Sequence, residues 1–107
     1  MMANPWAGEV ALVLDGQPHL ARLTLGALAE LEAALKTGTL IDLVERFEQG
    51  RFSTRDVLAL VVAGLRGGGW QGRAEDLLRV EIAGGPVAAA RAAAELLARA
   101  FAAPGEA

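Results

Sequence analysis

Enzymatic chemistry needs a nucleophile beside a base, a set of metal ligands, or two carboxylates held at different pKa values. This chain offers little of each. Its only His is His19 and its only Ser is Ser53, and the local patterns put them on different elements. Ser53 already has a task, because it stands three residues before Asp56 at the mouth of an apolar run, the spacing of a helix cap. Glu30 with Glu32, and Glu45 with Glu48, are the carboxylates closest in sequence, and each falls on an expected outer helix face where solvation accounts for it. With no Cys in the chain and no His close to these acids, a metal site is not expected. Gly67-Gly68-Gly69 has no strand before it and no Gly-Lys-Ser/Thr after it, so it lacks the parts of a phosphate-binding loop and reads as a helix terminator and flexible joint. No catalytic, cofactor-binding or metal-ligating residue is assigned.

Candidates for contact with other proteins remain. Trp70 follows the glycines and serves either as a core plug or as a binding anchor, since Trp is enriched among interface hot spots. Near the C-terminus, Val87, Ala90, Ala94, Leu97 and Phe101 follow 3, 4, 3, 4 spacing. That seam either closes the domain or docks on another copy or a long helical protein. Trp70, Ala94, Leu97 and Phe101 are the partner-binding candidates.

The totals limit what else is possible. At 107 residues the chain is expected to be a single domain over 1–107 with one core. A net charge of −3, with its Arg scattered, provides no basic block to track phosphates, so nucleic acid is not an expected partner. The N-terminus lacks the features of a signal peptide, and the longest apolar run is far below the roughly 20 residues that span a bilayer. A cytoplasmic location with no membrane partner is expected.

The elements that would position these residues form an α+β pattern, an N-terminal β-hairpin (about 9–25) packed on about five helices (about 26–102). The organising element is the run from Val57 to Leu65, apolar or Gly throughout, which as a helix must be covered on most sides. Ser53 and Asp56 form its capping box, Phe52 and Val57 are spaced as a hydrophobic staple, and Gly67 marks its end. Upstream, residues 9–14 and 19–25 flank Asp15-Gly16-Gln17-Pro18. A two-residue turn places Glu9 opposite Arg22; a four-residue loop places Val10 opposite Leu23 and Leu12 opposite Ala21. The longer loop is favoured because Pro18 cannot donate a ladder bond. Either way Val10, Leu12, Leu14, Ala21 and Leu23 are expected on the buried face.

Leu25, Leu28, Leu31 and Leu35 predict a helix capped by Thr24, with Glu32 and Lys36 paired outside and a stop near Thr37-Gly38. Thr39 and Asp42 open a second helix with Leu40, Leu43, Val44 and Phe47 inward, ended by Gly50. Arg73 to Ile82 predicts a short helix with Ala74, Leu77, Leu78 and Ile82 inward. Gly84-Gly85 breaks it and Pro86 takes the first position of the last helix. On that helix Arg91, Glu95 and Arg99 make an i, i+4 ladder, and Ala103 to Ala107 are expected to fray.

Several segments taken in order carry a family resemblance: Asn4-Pro5-Trp6-x-Gly8-Glu9-Val10, Leu23-Thr24-Leu25-Gly26-Ala27-Leu28-Ala29-Glu30-Leu31-Glu32, Arg51-Phe52-Ser53, Ala63-Gly64-Leu65-Arg66-Gly67-Gly68-Gly69, and Ala92 to Phe101. Together they resemble the gene transfer agent family of small tail proteins, encoded in the phage-like tail gene cluster of alphaproteobacteria. The resemblance implies a non-enzymatic role in building a tail, under one of two labels, phage tail tube protein or tail assembly chaperone. It implies other tail proteins as partners, the tape measure protein first, with a homo-oligomer as a further option. A tube subunit needs long strands that join neighbours into a ring, and strand signal here is confined to about the first quarter of the chain. The chaperone label is therefore expected, with a structural component of the particle, or a generic adaptor domain, as the alternatives. A small hydrolase is the remaining class, and it requires His19, a carboxylate and Ser53 in one pocket.

Overall fold

Asp15 and Gly16 both take positive φ, 48° and 79°, the requirement of a two-residue type I′ turn. The computed structural model, which describes residues 3–4, 7–35 and 38–101, thus closes the hairpin of β1 (Val10–Leu14) and β2 (Gln17–Ala21) by the shorter route, pairing Val10 with Ala21, Leu12 with His19 and Leu14 with Gln17. The expected four-residue loop is incorrect. Pro18 is accommodated because bonded and non-bonded pairs alternate along an antiparallel ladder. Leu14 and Gln17 flank the turn as a bonded pair, so Pro18, opposite Val13, turns its nitrogen to the outer edge, where no ladder bond is lost. Arg22 lies on that same edge and donates its N–H to Gly64 O at 2.8 Å. The two registers differ by two residues, which keeps every side chain on its own face, and Val10, Leu12, Leu14, Ala21 and Leu23 are all buried as expected.

The other edge of the hairpin is also occupied. Asp15 N donates to Glu81 O at 2.8 Å, Ala83 N donates to Val13 O at 3.0 Å, and Leu14 bridges Ile82 in the antiparallel sense. Glu81 N in turn donates to Asp15 Oδ1 at 2.8 Å. The helix expected over Arg73–Ile82 is accordingly cut to one turn, Ala74–Leu77. Backbone groups left open on β1 draw Glu81-Ile82-Ala83 into extended pairing, where β-branched Ile82 is well suited, and Leu78, expected inward, is 72% exposed.

The five helices are α1 (Leu25–Ala34), α2 (Leu40–Glu48), α3 (Thr54–Gly67), α4 (Ala74–Leu77) and α5 (Gly85–Ala100). An antiparallel hairpin followed by helices is the α+β arrangement expected. Helix α3 is the innermost element, packed on α1, α5 and β2, with Leu60, Val61, Ala63, Gly64 and Leu65 buried. Its start is the predicted capping box: Ser53 Oγ accepts from Asp56 N at 3.1 Å, and Ser53 N donates to Asp56 Oδ2 at 2.9 Å. Its end is not a free joint. A Cβ on Gly67 would lie 2.0 Å from Arg22 O, and one on Gly68 would lie 1.9 Å from Leu20 O. Two of the three glycines are places where the helix end touches the backbone of β2 and of the residues just after it.

Helix α1 is capped by Thr24, whose Oγ1 accepts from Ala27 N at 3.0 Å. Its buried face is Ala27 and Leu31, with Leu28 and Leu35 half-buried, whereas Leu25 is 84% exposed. At 100° per residue Leu25 lies about 120° round from Leu31, off the packed stripe. Helix α2 carries the second predicted capping box, between Thr39 and Asp42; its Leu43 is fully buried and Phe47 stacks on Phe52 with centroids 4.4 Å apart. In α5 the packed residues are Ala89, Ala92, Ala93, Leu96 and Leu97, about one residue round from the predicted seam. Val87, Ala94 and Phe101 of that seam are exposed. An Ala-rich helix has two nearly equivalent apolar stripes, and Leu96 wins because Gly64 leaves room for it. Helix α1 ends at Ala34, with Leu35 already in extended backbone as its C-cap, a few residues before the expected stop near Thr37-Gly38. The Glu32–Lys36 pair, the Pro5-Trp6 part of the N-terminal motif and the tail from Ala103 lie outside the described residues.

Candidate protein-contact site

One stripe of α3 is not fully covered. Arg55, Leu58, Ala59, Val62 and Arg66 recur at i, i+3, i+4, i+7 and i+11, so they share one face of the helix. The three apolar members are half-buried and both arginines are exposed. The stripe forms the floor of a groove of about 460 Å³, walled by Leu31 and Ala34 of α1 on one side and by Arg73 and Ala74 at the start of α4 on the other. Arg66 is tied down at this end, its Nε 2.7 Å from Glu30 Oε1 and its Nη1 donating to Gly72 O at 3.1 Å. Glu30, expected to be merely solvated, is therefore an ion-pair partner. Among the described residues the Arg55 and Arg73 side chains have no ion-pair partner.

A second, more apolar groove of about 490 Å³ lies between α3, the 77–82 segment and the beginning of α5, lined chiefly by Val57, Val61, Leu77, Ile82 and Ala89. Leu78 lines its open side. Ser53 is on its wall, and the groove takes no residue from β2, so it does not bring His19 to Ser53. His19 is half-buried on the inward face of β2 opposite Leu12.

The partner-binding candidates divide by environment. Trp70 is half-buried against the core; its backbone N–H donates to Leu65 O at 2.9 Å and its ring covers Gly72, where a Cβ would come within 2.1 Å of it. It also borders a polar cleft with Thr24 and Gln71. Leu97, 4% exposed, belongs to the core, while Ala94 is exposed and Phe101 is 49% exposed. The structure does not gather these four into one patch. The half-open stripe on α3 was missed by sequence reasoning, although its signal, two Arg eleven residues apart with apolar residues at helical spacing between them, is written in the chain.

Electrostatics are organised at the other end of α3. Asp56 is buried and receives a bidentate guanidinium, Arg46 Nε to Oδ2 at 3.1 Å and Arg46 Nη2 to Oδ1 at 3.0 Å. Burial pushes the Asp56 carboxyl upward, but the Arg46 bonds and the Ser53 N–H outweigh it and hold the acid below the usual carboxylate value. Hydrogen bonding to Asp56 in turn holds the Arg46 guanidinium charged. This clasp fastens α2 to the start of α3. At the far side Arg99 is 3.4 Å from Glu95 and donates to Glu9 O, tying α5 to the residue before β1.

Among the described residues no three His, Cys, Asp or Glu side chains are grouped to hold a metal ion, and no helix is long and apolar enough to cross a membrane. The arrangement is that of a small α+β domain whose distinctive surface features are grooves along its central helix. The chain belongs to the family described as phage tail tube protein, GTA-gp10, whose model matches residues 7–103. That family bears out the gene transfer agent resemblance, and its description carries the structural tail label rather than the helper label. No curated protein and no solved structure shows significant similarity to the chain.

Proposed function

We propose that this protein acts without chemistry of its own in building a gene transfer agent tail, as an assembly chaperone that holds the tape measure protein before the tube closes round it. The supporting observation is the state of the hairpin. One edge is taken by the Glu81–Ala83 segment, and the other lies against the end of α3, with Arg22 N bonded to Gly64 O. A tube ring is assembled by strand edges that add to a neighbour's sheet. Here the strands are only five residues each, one edge is paired within the subunit and the other is backed by α3, so the larger surface left for partners is helical. Before assembly the protein belongs in the cytoplasm with its client.

The family description favours a second reading, a structural tube component that stays in the particle and associates with its own copies. Co-expression with the tape measure protein, followed by affinity purification on a tag fused to this chain, separates the two. Retention of the tape measure protein by a soluble, unpolymerised complex supports the chaperone. Self-assembly into rings or tubes with no retained tape measure protein supports the component.

A further inference from the structure

We propose that the Arg55-to-Arg66 groove on α3 is a docking site for an amphipathic helix that carries an acidic residue at each end of a small-residue apolar face. Three observations converge on this occupant. The floor, Leu58, Ala59 and Val62, is apolar and half-open, a stripe that an apolar helix face covers by ridge-into-groove packing. The charge is local and unbalanced: in a chain of net charge −3, the groove collects Arg55, Arg66 and Arg73 against Glu30 alone. Arg55 and Arg73 remain as cations without an ion-pair partner among the described residues. Finally, Arg55 is in the first turn of α3, where a cation opposes the helix dipole. Helix stability does not account for it; an incoming carboxylate does.

Eleven residues at 1.5 Å each separate Arg55 from Arg66 by about 16 Å along the axis. Arg66 is bonded to Gly72 O, which brings the neighbouring Arg73 to that same end. A partner helix laid along the groove therefore meets free positive charge at both ends, and matches it with acids about eleven residues apart flanking Ala, Val or Leu at i+3, i+4 and i+7. The inference rests on the proposed function only for the source of that helix, a client tail protein.

The test uses the full chain and a stapled helical peptide of about 16 residues with an Ala/Leu face and Glu at both ends, against the same peptide with Lys in place of Glu. Fluorescence anisotropy is expected to show the Glu peptide binding about tenfold or more tighter than the Lys peptide, with affinity falling as salt rises. The double variant Arg55→Glu, Arg73→Glu is expected to reverse that preference. Both side chains are exposed, so circular dichroism should show the fold intact. Absence of binding to either peptide, equal binding to both, or an unchanged preference in the double variant overturns the proposal. Should the tape measure protein fail to co-purify while the Glu peptide still binds with the charge preference, the chaperone reading falls and the groove stands; the converse result removes the groove alone.

Discussion

Replacing Gly67 or Gly68 by Ala distinguishes a packing role from a hinge by the sign of the effect. Gly67 is helical and Gly68 has φ −89°, ψ 0°, so neither position needs glycine for its backbone angles. In a loose joint, Ala stabilises by about 0.4–1 kcal/mol, because it restricts the unfolded chain. In the structure the added Cβ comes within 2.0 Å of Arg22 O or 1.9 Å of Leu20 O, where ordinary contact begins near 3.4 Å. The obstruction is backbone, with no rotamer to move aside, so the hairpin and α3 must separate by more than an ångström. That strains the Arg22 N to Gly64 O bond of 2.8 Å and loosens Ala21, which is fully buried. The expected loss is about 2–4 kcal/mol for each variant. Gly26, helical and exposed with nothing closer than 3.9 Å to its missing Cβ, is the matched control and should gain about 0.5–1 kcal/mol as Ala. Urea unfolding followed by circular dichroism measures all three. Gly67→Ala and Gly68→Ala at or above wild-type stability would refute the close-approach argument and restore the hinge.

Other perturbations follow from the same contacts. Arg46→Ala is expected to cost about 1–2 kcal/mol, less than for a fully buried pair, because the Arg46 side chain is 31% exposed; urea midpoints report it. The folded-state pKa of Asp56 is lowered, so its stabilising contribution is complete above the ordinary carboxylate value of about 3.9 and is lost as pH falls toward the lower folded value. Acid titration of stability should show a shallower decline in Asp56→Asn, from a lower starting stability. Leu97→Ala should cost about 2–4 kcal/mol as a core truncation, whereas Phe101→Ala and Ala94→Ser should stay within about 1 kcal/mol; thermal melts separate them.

What the chain discloses by itself is mainly what is local. The Ser53–Asp56 and Thr39–Asp42 boxes are short-range hydrogen-bond patterns, and they form as their spacing dictates. The apolar run over α3 identified the centre of the fold for a similar reason, since such a helix has little choice but to be covered. The failures are non-local. Extended pairing of Ile82 with Leu14 joins residues far apart in sequence and outcompetes the weak helical signal after Leu77. Gly67 and Gly68 look like a joint until β2 is laid against them. The packed face of α5 was chosen by Leu96 meeting Gly64, a decision that alanine periodicity does not encode. Parity explains why the misjudged hairpin register did no harm to the predicted core. The groove on α3 is not legible in the sequence because a helix expected to be covered on most sides does not disclose which side stays open, and Arg55 reads there as part of the scattered surface charge.

We propose that this protein helps a gene transfer agent tail to form without remaining in it. Quantitative mass spectrometry of purified mature particles, set beside the unassembled soluble fraction of the same producing culture, tests that claim directly. This chain is expected in the soluble fraction with the tape measure protein, and at most in trace amounts in the particle. A fixed complement in the particle, at a multiple expected of stacked tube rings, would contradict it.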